Sequence, residues 1–219
     1  MKSLHQHIKE SFKISKNKMY NFRPKTKEEL QHIIYDEIEQ NPDADLNFID
    51  VSKITDMSKL FSLDIVIPGV NHEWLKKVRN IKIDKWDVSN VTDMSWMFAD
   101  CINLDCDISD WNVSRCEKMY CMFRECHKFN SDLGSWDVSK VENMGFMFTM
   151  CYEFNCNLGK WDVKEVKDMD HMFWGCKKFV GDGIAYWAPK KLGNCNNVFK
   201  DCPNMEDYPI WYLSHIYKI

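Results

Sequence analysis

The apolar positions of this chain recur with a period of 25 residues. Copies start at Trp86, Trp111, Trp136 and Trp161. Each Trp is followed by Val88, Val113, Val138 and Val163, and then by Val91, Cys116, Val141 and Val166. Met94, Met119, Met144 and Met169 come next, followed by the pairs Met97-Phe98, Met122-Phe123, Met147-Phe148 and Met172-Phe173. Cys101, Cys126, Cys151 and Cys176 share a further slot. A fixed period of this length predicts a stacked array, because one unit can bury its apolar side only against its neighbours.

Two local elements are expected in each copy. The Met-x-x-Met-Phe-x-x-Cys segment has apolar spacings of 3, 1 and 3, which fit a short helical turn. The Phe-Asn-x-Asp-Leu-x-x-Trp-Asp-Val segment has no helical period and holds β-formers near turn residues, which fits a short strand. The fold class expected is α/β: a leucine-rich-repeat-like solenoid of five to six 25-residue coils, with a helical N-terminal cap.

The repeated pattern WDVSxVxxMxxMFxxCxxFNxDLxxW resembles the BspA-like leucine-rich-repeat family, of the Mycoplasma-lipoprotein type filed as DUF285, over roughly residues 49–203. That resemblance implies a repeat solenoid that presents a recognition surface and brings no catalytic residues. Relatives are frequent in bacterial surface proteins that act in adhesion, and related sequences occur in gut bacteria and their phages.

The flanks predict caps. Pro24 and the Thr26-x-x-Glu29 capping box open a helix with Leu30, Ile33, Ile34 and Ile38 on its apolar face, and Asn41-Pro42 closes it. A divergent first copy starts at Ile49. Its distance to Trp86 implies an insert within residues 62–80, which contains the turn signal Pro68-Gly69 and the run His72-Glu73-Trp74-Leu75. Such an insert is either a binding loop or a tolerated excursion. Trp187 begins a degraded copy, and the apolar segment from Tyr208 to Tyr217 can close the last coil. The expected organisation is a basic arm (1–25), a helical cap (26–48), the repeats (49–203) and a C-terminal cap (204–219).

Charge singles out the N-terminus. Lys2, Lys9, Lys13, Lys16, Lys18, Arg23, Lys25 and Lys27 face only Glu10 within residues 1–27. With a net charge of −4 overall, that +7 segment leaves −11 on the remainder. A basic arm on an acidic body suits a tether to nucleic acid, an anionic surface or an acidic partner, or else is a solvated leader. The first residues lack the uninterrupted apolar run of a signal peptide, and no segment is long and apolar enough to span a bilayer. A cytoplasmic location, or one inside a phage particle or infected cell, is expected.

Candidate chemistry is sparse. The ten cysteines include no Cys-x-x-Cys pair, so no structural metal is expected, and the stacked slot suits Cys as a small hydrophobe. In a reducing compartment they stay free. Asp87, Asn112, Asp137 and Asp162 form one polar ladder, and Asp107, Asp132, Asn157 and Asp182 another. These either bind calcium or, as Asx residues do at corners, accept backbone hydrogen bonds. His127 and His171 are the only histidines of the four copies and lie in no catalytic motif, so neither an enzyme nor a cofactor is expected.

Residues that interrupt the repeat are the binding candidates. Trp96, Phe146 and His171 occupy one offset, with Tyr120, Tyr152 and Trp174 close by. They form either an exposed aromatic ridge for a protein partner or a laterally packed row. The expected function is a non-catalytic protein-interaction module. The alternative is a structural component of a larger assembly, such as a phage particle, anchored by the basic arm.

Overall fold

Thr26 sets where the first helix starts. The computed structural model describes residues 22–62 and 78–218, and within them α1 spans Lys27–Gln40. Thr26 Oγ1 accepts the Glu29 amide at 3.2 Å, and Glu29 Oε2 accepts the Lys25 amide at 2.7 Å. The capping box forms, with its return bond one residue further out than the cap itself. Leu30, Ile33, Ile34 and Ile38 are buried, and they join the same apolar cluster as the repeats. The insert lies largely outside the described residues, as do the His72-Glu73-Trp74-Leu75 run and the Pro68-Gly69 turn.

The repeats stack as expected, but they contain neither the strand nor the helical turn. Among the described residues the helices are α1, a 3-10 turn at Ile184–Tyr186, and α2 at Ile210–Tyr217. In place of a sheet there are isolated parallel bridges, one per coil, linking Asp56, Asp93, Lys118, Asn143, Asp168 and Asn194 in succession. The expectation of an α/β solenoid of strand-plus-helix coils is therefore wrong. The coils are made of turns and loops.

The reason is how the backbone divides its hydrogen bonds. Between Met94 and Cys101, the amides of Met94, Trp96, Phe98 and Asp100 donate to Lys118, Tyr120, Met122 and Arg124 in the next coil. The amides of Met97, Ala99 and Cys101 instead close turns on Met94, Trp96 and Phe98. Trp96 and Asp100 have positive φ, at 61° and 65°. A positive φ at the third residue of a turn is what type II geometry needs, and it ends both a helix and a strand. The 3, 1, 3 apolar spacing is thus met by overlapping turns. Every amide in this segment is still satisfied, as burial demands.

Asx turns make the corners. In the coil that starts at Trp86, Asp87, Asp93 and Asp107 accept the amides of Ser89, Ser95 and Ser109. Asn112, Asp132, Asp137, Asn143, Asn157, Asp162 and Asp168 repeat the arrangement in later coils. Both polar ladders noted in the sequence are largely used as corner acceptors.

Inside, identical residues stack and bond across coils. Phe98, Phe123, Phe148 and Phe173 lie 5.6 Å apart in near-parallel pairs. The buried indoles of Trp111, Trp136 and Trp161 donate Nε1–H to Ile83, Ile108 and Leu133 of the preceding coil at 2.9–3.1 Å. The thiols of Cys126, Cys151 and Cys176 donate to Phe98, Phe123 and Phe148 at 2.9–3.0 Å. Trp and Cys therefore do more than fill space. Each adds a second donor to a carbonyl that already accepts a turn amide, so both of its acceptor sites are filled inside the core. All ten cysteines are free and buried.

Candidate functional site

One backbone position carries the aromatic row. Lys59, Trp96, Cys121, Phe146, His171 and Asn197 occupy equivalent places in successive coils, and all have φ between 52° and 61°. This left-handed region suits Gly or Asn, and holding a bulky residue there costs about 1–2 kcal/mol. Trp96, Phe146 and His171 bear that cost while staying only partly buried.

Their rings meet across the coils. Trp96 packs edge-on against Tyr120 at 5.7 Å, and Tyr120 packs edge-on against Phe146 at 5.8 Å. Phe146 stacks on His171 at 4.7 Å, and His171 meets the edge of Trp174 at 5.2 Å. Tyr120 has room because Gly145 stands next to it, where a Cβ would come within 3.2 Å of its ring. The rings pack laterally and still reach solvent.

Cations close the row at both ends. Lys59 Nζ and Arg124 Cζ each lie 5.9 Å from the Trp96 ring, and Lys200 Nζ lies 5.5 Å from Trp174. Arg124 also pairs with Asp100 at 3.0 Å, while Trp174 Nε1 donates to Asp201 at 2.9 Å. Burial pushes the Tyr120 hydroxyl up, with Cys121 and the acids Asp168 and Asp170 adding to it. At His171, Nδ1 lies 2.9 Å from Asp170 Oδ1, yet neither atom has an aligned hydrogen-bond partner. On the far side, Nε2 lies 3.2 Å from the Asn197 amide nitrogen.

Five of the six aromatic candidates come together. Tyr152 does not: it stacks on His127 at 4.3 Å, beside Glu125, whose Oε2 is 3.0 Å from His127 Nε2. Lys2, Lys9, Lys13, Lys16 and Lys18 lie outside the described residues. Arg23 lies against the first copy, with Nε 3.0 Å from Asp50. Lys59 and Asn197 were missed in the sequence, although aligning the divergent copies would place both in the row. Among the described residues no group of three or more His, Cys, Asp or Glu could hold a metal ion. No helix there is long and apolar enough to cross a membrane.

The repeat unit is matched by a family model described as "Mycoplasma protein of unknown function, DUF285", over residues 28–144, 70–187 and 110–211. The chain belongs to DUF285. No curated protein and no solved structure matches it. The DUF285 segments overlap and together take in all of α1 but its first residue, every coil and the start of α2. The candidate row lies entirely within them.

Proposed function

We propose that this DUF285 chain is a non-catalytic interaction module that engages a protein partner through the row from Trp96 to Trp174. The observation that carries the reading is Trp96, Phe146 and His171 at one strained, partly exposed backbone position. Core packing does not ask for aromatic groups there, since Lys59 and Asn197 fill the same place in the terminal coils. Backbone strain collects where a side chain is held for use. Half-exposed aromatic groups, already ordered by their neighbours, lose little entropy on binding.

The test is capture from host extract, with the bound protein identified and its affinity measured. Trp96→Gly combined with Phe146→Gly should weaken capture by at least about a hundredfold, as expected for two hot-spot aromatics. Circular dichroism should show the fold retained, and Lys140→Ala, at an exposed position outside the row, should bind normally. Undiminished capture by the folded double variant would overturn the reading.

A further inference from the structure

The C-terminal end of the stack differs from the rest of the surface. Among the described residues, the large apolar side chains that remain exposed all lie at position 180 or later: Val180, Tyr186, Tyr208, Ile210, Ile216 and Tyr217. α2 is the centre of that patch. One face is held to the last coil, with Trp211 Nε1 donating to Ile184 at 2.9 Å and Tyr212 edge-on to Phe199 at 5.0 Å. The opposite face is apolar too. Ile210, Leu213 and Tyr217 recur at i, i+3 and i+7, and Ile210 is 81% and Tyr217 68% exposed. Ser214 and the exposed His215 lie to one side of this apolar strip, and an exposed strip of this kind marks an interaction surface.

We infer that this face is covered by the same face of a second copy, with two α2 helices packed antiparallel about a two-fold axis. Charge is arranged for that partner. Glu206 and Asp207 stand exposed just before α2, and Lys218 stands exposed just after it. Antiparallel pairing sets each acidic end beside the partner's Lys218, and it aligns the helix dipoles favourably. A parallel arrangement would put like charges together. Such a self-complementary patch is what an isologous interface requires.

The size of the patch sets the strength. Ile210, Tyr217, Tyr208 and Ile216 expose roughly 500 Å² per copy, or about 1,000 Å² buried in total, at the low end for specific association. A reversible dimer with Kd on the order of 10 µM is expected.

Sedimentation equilibrium of the full chain from about 1 to 200 µM, a range that brackets this Kd, tests the pairing. A monomer–dimer equilibrium that weakens with salt is expected. Ile210→Asp with Tyr217→Asp should leave a folded monomer throughout. Glu206→Lys with Asp207→Lys should weaken association at least about tenfold, the loss expected where like charges replace paired ones. Adding Lys218→Glu to that pair should restore it. A wild-type monomer at every concentration would overturn the inference, as would a dimer that persists without Ile210 and Tyr217. Failure of the third charge reversal to restore pairing would overturn the antiparallel arrangement.

Discussion

The rings of Phe146 and His171 lie 4.7 Å apart and within 6° of parallel, and both residues hold left-handed backbone. The contact therefore joins two positions whose backbone would prefer a smaller side chain. Ring stacking contributes about 0.5–1.5 kcal/mol beyond its buried area, comparable to the strain at one such residue.

That balance predicts an inversion of the usual substitution order. Phe146→Ala loses the ring contacts and keeps the positive φ. Phe146→Gly loses the same contacts and relieves the strain. Urea melts should find the Gly variant more stable than the Ala variant by about 1 kcal/mol. An Ala variant more stable than the Gly variant would mean that this backbone is not held left-handed in solution.

The buried indole of Trp136 makes a second case. Trp136→Ala empties a large core site and should cost about 3–5 kcal/mol. Trp136→Phe keeps much of the packing and removes the Nε1–H bond to Ile108. That carbonyl retains a bond from the Trp111 amide. The expected cost is smaller, about 1–3 kcal/mol. Equal losses in denaturant melts of the two variants would show that volume is unimportant at this site.

The thiol ladder predicts protection. Cys126 and Cys151 are fully buried, and burial pushes both thiols well above the ordinary range. Thiolate attack on a disulfide reagent should be slow in the folded chain and fast in denaturant. Mass spectrometry after a short pulse should find both unlabelled until unfolding. Rapid labelling of the native chain at these two positions would contradict their burial.

These positions also mark how far the sequence could be read. The period gave the stacking and the core slots, because like residues over like is the only economical burial for a repeat. The Thr26 cap gave the first helix. The local backbone stayed hidden, since Met94, Met97, Phe98 and Cys101 have the spacing of a helical turn. What excludes a helix is the left-handed φ of Trp96 and Asp100, and neither residue type signals it as Gly would. Ser95 and Asn143 look like unremarkable polar residues, so the third corner of the coil also went unseen. The aromatic row was legible as an interruption of the pattern, but its terminal members, Lys59 and Asn197, sit in degraded copies.

Asp107 predicts how acid undoes the corners. Its carboxylate accepts the Ser109 hydroxyl at 2.7 Å and the Ser109 amide at 3.1 Å, and these bonds hold its carboxyl below the usual range. Asp132, Asp137 and Asp162 are lowered at similar corners. A depressed folded-state value means that each stabilises the fold above the unfolded value, about 3.9. That stability is lost as pH falls through the folded value. Asn157 fills the place of Asp107 two coils on and makes the same turn with Gly159. Asp107→Asn should therefore lose at pH 7 the part of that stability that depends on the charge, while its amide oxygen keeps the corner bond. Thermal melts at successively lower pH should then show the variant losing less than the parent below about pH 4. The residual slope would come from the remaining carboxylates. Parallel curves for the two proteins down to pH 3 would show that the Asp107 corner carries no pH-dependent stability.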